Sequence, residues 1–119
     1  MGSASARRYE RVPFFVDLEV KDLSTGRSCR GRSFDLSRGG IGFFAPTFLP
    51  VGCRVRLALY LRHAPQQATA HVDAVIVRAQ TETGGALLGA TFDPELAPAS
   101  QPLLCKCLDV ELGSPPSPR

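Results

Sequence analysis

Cys53-Arg54-Val55-Arg56-Leu57-Ala58-Leu59-Tyr60-Leu61 is the stretch from which the fold can be worked out. Val55, Leu57, Leu59 and Leu61 alternate with Arg54, Arg56, Ala58 and Tyr60, the period of a strand with one face in a core and the other toward water. The same period marks Val12 to Lys21, where Pro13 sits among the first residues and a missing ladder donor is tolerated. Arg27 to Phe34 gives a weaker, polar strand, and Ile41 to Phe44 a short apolar one. Ala68 to Ala79 turns Val72, Ala74 and Ile76 inward, with His71 and Asp73 outward, and Ala86 to Phe92 is the last strand.

The connections carry turn chemistry. Asp22-Leu23-Ser24-Thr25-Gly26 and Thr81-Glu82-Thr83-Gly84-Gly85 are hairpin signals. Residues Ala45 to Gly52, with Pro46 and Pro50, and Arg62 to Gln67, with Pro65, are expected to be loops. Past Phe92 the period changes. Ser100 is placed to cap a helix whose first turn holds Pro102, and Leu103, Leu104, Cys107, Leu108 and Leu112 follow at helical spacing, with Gly113 at the C-cap. Six strands with no helix between them exclude a parallel sheet and predict an all-β fold, an antiparallel barrel or sandwich, with a C-terminal helix over an open end or edge.

A length of 119 residues fits one domain, and 44% apolar with 21% charged residues is globular composition. Residues 1–6 are expected to form a flexible start, 7–112 the folded unit, and 113–119, with three prolines, a disordered tail. The net charge of +3 permits an anionic partner but falls short of the basic coverage of duplex binders. Cys29, Cys53, Cys105 and Cys107 form no C-x-x-C pair and follow no secretory signal, so buried thiols are expected rather than a disulfide framework. No apolar run approaches the ~20 residues needed to span a bilayer. Met1-Gly2-Ser3 begins like a myristoylation signal, but Ala6 stands where that signal needs Ser or Thr. These features predict a cytoplasmic protein without membrane insertion. His63 and His71 lack ligand-spaced partners, and no catalytic triad, paired acids or phosphate loop can be argued, so neither metal nor catalysis is expected.

Two polar clusters stand out against this scaffold. Arg7-Arg8-Tyr9-Glu10-Arg11 precedes the first strand and offers three guanidiniums, each a fork suited to phosphate or to the O6 and N7 acceptors of guanine. A run of this kind is also what a solvated basic tail looks like. Ordering backbone costs ~1–2 kcal/mol per residue, so fixing Arg7 to Arg11 costs roughly 5–10 kcal/mol, more than one arginine–guanine contact of ~1–3 kcal/mol supplies. Several arginines must therefore engage one multiply charged ligand, or the arm stays loose. The second cluster is Asp35-Leu36-Ser37-Arg38-Gly39-Gly40. As a plain turn, Asp35 and Ser37 bond their own backbone and Gly39 or Gly40 supplies positive φ. As a site, Asp35 accepts from the N1–H and N2–H of guanine, Ser37 supports a second contact, and Gly40 opens the backbone to a ligand.

Arg7-x-x-x-Arg11 followed by Asp35-x-Ser37-x-x-Gly40 resembles the paired motif of the PilZ domain family, bacterial receptors for cyclic di-GMP. Gly89-Ala90-Thr91-Phe92 is similar to the family's closing strand, and the resemblance covers residues 7 to 112. It implies a six-stranded antiparallel β-barrel with a C-terminal helix: an arginine arm at 7–11, the barrel at 12–92 and the helix at 100–112. It also implies a cyclic di-GMP site in which Arg7 and Arg11 contact guanine and phosphate, Arg8 helps, Asp35 and Ser37 take the other side of the base, and Gly40 keeps the turn open. Ala6 occupies the position that influences whether one ligand or a stacked pair is held. A non-enzymatic receptor follows, without cofactor, relaying to a downstream protein effector in motility, pili or exopolysaccharide control, as a monomer or a ligand-dependent dimer. Two other readings remain: an interaction module of the same fold with an idle ligand site, and a barrel binding single-stranded nucleic acid. The latter wants exposed aromatics on a basic face, and Phe14 and Phe43 lie on core faces here, so no DNA or RNA partner is expected.

Overall fold

The computed structural model describes residues 10–63 and 66–111. The start at 1–6, Arg7, Arg8, the helix end at Leu112 and Gly113, and the tail to residue 119 lie outside the described residues. The elements in order are β1 (Val12–Pro13), β2 (Asp17–Asp22), β3 (Ser28–Leu36), β4 (Gly40–Ala45), β5 (Arg54–His63), β6 (Gln66–Glu82), β7 (Gly85–Phe92) and α1 (Pro102–Glu111). All pairings are antiparallel, in the order β1-β3-β2-β5-β6-β7-β4, and β3 also pairs with β4. That last pairing closes the sheet, which removes its open edges. Because β1 and β2 lie along the same edge of β3, they are two pieces of one strand, and the ring is a six-stranded antiparallel barrel.

The alternation that predicted the strands is the alternation of the core. Leu18, Val55, Leu57, Leu59 and Ile76 are fully buried, with Val20, Leu61, Val72 and Ala74 close behind. Phe14 and Phe43 are buried as their parity requires, while Phe15 is 64% exposed.

The strand expected over Val12 to Lys21 is interrupted. Pro13 pairs with Asp35 but Asp17 with Arg32, so Phe15 and Val16 share Ser33 as their opposite residue. Ser33 is only 2% exposed, and its side chain explains the break. Its Oγ donates to the Phe14 carbonyl at 2.6 Å and accepts from the Val16 N–H at 2.9 Å. A bulge leaves ladder groups without partners, and the hydroxyl supplies them. Two further register shifts occur, between Ser33 and Asp35 against β4, and between Ile76 and Arg78 against β7.

Three other expectations change. Strands β5 and β6 run on to His63 and from Gln66, so Arg62, His63, Gln66 and Gln67, expected in a loop, are paired strand residues, Arg62 with Gln67 and His63 with Gln66. β6 likewise extends past Ala79 to Glu82, and the hairpin turns at Thr83 and Gly84, where Gly84 has φ +82°. The helix begins at Pro102, which puts Gln101 rather than Ser100 at the cap position; the Ser100 hydroxyl donates back to the Ala97 carbonyl at 3.3 Å. Gln101 Nε2 donates to the His71 carbonyl at 2.7 Å, on the face of α1 that turns inward. Leu104, Cys105 and Leu108 share that face and are buried, while Leu103 and Cys107 are only partly so. Cys107 packs partly buried against the core as its stripe predicted, and Cys105 is buried more deeply; burial raises the Cys105 pKa, with Arg38 nearby as the main opposing influence.

Candidate functional site

The turn between β3 and β4 is closed from within. Ser37 N–H donates to the Gly40 carbonyl at 2.8 Å, and Ser37 Oγ accepts from the N–H groups of Gly39 and Gly40 at 3.2 and 3.1 Å. The side chain is 4% exposed, so this hydroxyl is committed to the backbone around it. The chain after β7 holds the turn from outside: Phe92 N–H donates to the Gly39 carbonyl at 2.9 Å and Leu96 N–H to the Arg38 carbonyl at 3.0 Å. Among the described residues the positive-φ glycines are Gly26, Gly52 and Gly84, so neither Gly39 nor Gly40 supplies the left-handed residue the sequence suggested. The Ser37 hydroxyl satisfies the turn without one. Gly40 is needed for a different reason, since a Cβ there would run into the Ala90 carbonyl oxygen of β7.

Asp35 sits one residue before the buried end of β3, where the shift in register against β4 sets it opposite Gly42. Ser33 and Leu36 on either side are buried, and the residues between them, Phe34 and Asp35, are both half-buried and both lie over Gly42. Two successive side chains on one side of a strand are what a bulge produces. The carboxylate meets its partner there: Arg11 Nη1 donates to Asp35 Oδ1 at 2.9 Å, with the two side chains 30% and 26% exposed. Arg11 is delivered by β1, whose Val12 and Pro13 pair with Leu36 and Asp35. Of the six residues singled out from the sequence, the structure brings Arg11, Asp35, Ser37 and Gly40 together. Arg7 and Arg8 lie outside the described residues.

A guanidinium and a carboxylate are thus held side by side at Arg11 and Asp35. The adjoining strand β1 and the ion pair hold Arg11 beside the carboxylate. Three other arginines on the barrel surface are matched by acids among the described residues. Arg56 Nε donates to Asp73 at 2.7 Å, and this contact raises the guanidinium pKa and lowers that of the carboxyl. Arg54 pairs with Asp93 at 3.5 Å and Arg32 with Asp17 at 3.2 Å, while Arg30 lies over the Tyr60 ring. Arg54 and Arg56 thus lie on the water-facing side that their alternation predicted. Arg38 is different: it is exposed at the tip of the turn, close to the Arg11–Asp35 pair in the chain, and the motif does not include it.

An open cleft of about 820 Å³ lies beside the Phe15 bulge, lined among others by Asp17, Arg32 and Tyr60, but neither Arg11 nor Asp35 belongs to it. Arg11 and Asp35 instead occupy the outer surface of the barrel. A flat, extended ligand held by charge and base-edge contacts suits that position better than a small apolar molecule would. Sequence reading missed Phe34 and Gly42, which frame the carboxylate. A glycine between the core residues Ile41 and Phe43 carries no signal until its cross-strand partner is known. Among the described residues no group of three His, Cys, Asp or Glu side chains could hold a metal ion, and no helix is long and apolar enough to cross a membrane.

Comparison with known proteins adds the relationship. Among solved structures, the inhibitor of motility MotI/DgrA of Bacillus subtilis superposes with a TM-score of 0.70 at 20% identity, covering 92% of this chain and 53% of that one. This chain thus spans about half the length of that protein. The PilZ domain of Escherichia coli YcgR, solved with c-di-GMP, matches with a TM-score of 0.68 at 19% identity, covering 90% of this chain and 92% of that one. The YcgR crystal structure in complex with c-di-GMP gives 0.66 at 22% identity, covering 91% and 47%. At these identities the likeness establishes the barrel fold. Curated protein sequences gave no match. The PilZ domain model, however, matches residues 5–108, which takes in the arm, all the strands and most of α1. On that match the chain, a closed antiparallel barrel with a C-terminal helix, belongs to the PilZ domain family.

Proposed function

We propose that this protein is a non-enzymatic, cytoplasmic receptor for cyclic di-GMP, and that Arg11 and Asp35 are the centre of its site. The observation that carries the reading is their contact: a guanidinium and a carboxylate, both part-exposed, meet on the outer face beside a turn fixed from both sides. Guanine presents complementary edges to that pair. Its N1–H and N2–H groups donate to the Asp35 carboxylate, and its O6 and N7 accept from an arginine fork. The two phosphodiesters of the ligand call for the further guanidiniums of Arg7 and Arg8. Ser37 and Gly40 hold the turn at the level of the base.

Magnitudes support an exchange of partners. A single-contact, part-exposed ion pair is worth ~0–1 kcal/mol, whereas hydrogen bonds to charged groups are worth ~1.5–3 kcal/mol each. The Arg11–Asp35 contact thus keeps both groups oriented and yields readily to a ligand that engages each of them. Because Arg11 is already positioned, the ordering cost on binding falls mainly on the residues before it. Docking of Arg7 and Arg8 over the barrel then changes the exposed surface, and a protein partner reads that surface.

The test is calorimetric titration of the full chain with cyclic di-GMP, GTP and a short single-stranded oligonucleotide. Saturable heat with cyclic di-GMP alone is expected. Heat with the oligonucleotide alone would replace this reading with a nucleic-acid binder. No heat with any of the three would leave a barrel that works through protein contacts with an idle site.

A further inference from the structure

We infer that Gly42 is a positioning residue for the Asp35 carboxylate, the missing side chain on β4 being the seat in which that carboxylate lies. The inference rests on the cyclic di-GMP reading above and deepens it. Gly42 is the cross-strand partner of Asp35, one step beyond the register shift that places Phe34 and Asp35 over the same point of β4. A methyl group on Gly42 would stand 2.6 Å from Phe34 Cε1, 2.7 Å from Phe34 Cζ and 2.7 Å from Asp35 Oδ1. Ordinary carbon contacts lie near 3.5–4.0 Å, so these atoms must move. The oxygen that would be displaced is the one that accepts from Arg11 Nη1 at 2.9 Å.

The nature of the crowding atoms decides what gives way. At Gly40 an added Cβ meets the Ala90 backbone, and at Gly31 the Phe44 backbone, so a side chain there strains the barrel. At Gly42 the nearest atoms it meets are the far ends of two half-buried side chains. Those ends can swing aside without opening the sheet, and the carboxylate swings with them. A site that reads a base edge loses much of its affinity when a contact is misplaced by ~1 Å. Gly42 therefore serves the ligand where Gly40 serves the fold.

The experiment compares cyclic di-GMP titration of the wild type, Gly42→Ala, Asp35→Ala and the double variant. Gly42→Ala should weaken binding tenfold or more, and should add little once Asp35 is already alanine. An unchanged affinity, or the same loss in both backgrounds, overturns the inference. Should Gly42→Ala fold poorly, the pair is repeated in a Phe34→Ala background, where the new methyl meets Asp35 alone. There, too, a loss supports the inference and no loss sinks it. If the wild type itself binds no cyclic di-GMP, the ligand reading fails independently. The seat is then tested by a crystal structure of Gly42→Ala: an Asp35 carboxylate displaced from Arg11 upholds it, and one still in place refutes it.

Discussion

The turn from Ser37 to Gly40 and the Arg11–Asp35 pair lie side by side in one motif, yet they differ in what their polar groups are doing. In the turn, the Ser37 hydroxyl, its N–H and the Arg38 and Gly39 carbonyls all have partners within the protein, and Ser37 is buried. In the pair, a quarter or more of each side chain faces solvent, and a single 2.9 Å contact leaves most donor and acceptor sites open. The motif therefore divides into a part that fixes geometry and a part that meets the ligand. Substitutions should separate the two, one set showing in stability and the other in affinity.

The largest separation is expected at Asp35. Asp35→Ala should reduce cyclic di-GMP affinity on the order of 100-fold or more in calorimetry, the equivalent of about two charged hydrogen bonds. Its melting temperature should hardly move, because the exposed ion pair it breaks contributes ~0–1 kcal/mol. Unfolding with affinity retained would reverse the division and make Asp35 part of the scaffold. Gly40→Ala should show the opposite signature. Its Cβ is forced against the Ala90 carbonyl, and overpacking of this kind costs ~1–3 kcal/mol, a fall of roughly 5–15 °C by differential scanning calorimetry.

Ser37→Ala comes next and sharpens the boundary. Removing the hydroxyl leaves the N–H groups of Gly39 and Gly40 without the acceptor they have now, a loss of ~1–2 kcal/mol in urea unfolding. Its affinity loss should be smaller than that of Asp35→Ala; an equal loss at unchanged stability would put Ser37 among the contact residues. The smallest effect belongs to the Arg56–Asp73 pair, which is not part of the motif. The Arg56 hydrogen bond lowers the Asp73 pKa below its usual 3.8, so the contact stabilises the fold above that value and stops doing so as pH falls through the lower, folded value. Arg56→Gln should therefore shift the urea midpoint slightly at neutral pH and not at all near pH 2, while cyclic di-GMP affinity stays the same.

How much of this was legible in the residues depends on how local the cause was. Val55, Leu57, Leu59 and Leu61 announced their strand because alternation is a property of the chain alone, and all four are buried as their parity requires. The motif residues were legible by resemblance, since Arg11, Asp35, Ser37 and Gly40 stand at fixed spacings. Their division of labour was not. Ser37 offered the same hydroxyl to a turn or to a guanine, and only the positions of the Gly39 and Gly40 N–H groups chose the turn. Cys107 shared a stripe with Leu104 and Leu108 on paper and packs partly buried, yet Cys105 is the more deeply buried thiol, because the inward face of the helix is centred on Leu104 and Leu108 with Cys105 beside them.

By itself, then, the sequence determined the strand faces, the antiparallel all-β class and the residue types available to a ligand, since each follows from periodicity or side-chain chemistry within a few residues. Ring closure through β3 and β4, the bulge that Ser33 stabilises and the seat that Gly42 leaves under Asp35 were decided only by the tertiary structure. The reason is physical. Each depends on which backbone atoms a distant strand brings within 3–4 Å, and in a closed barrel that register is settled jointly by all the strands.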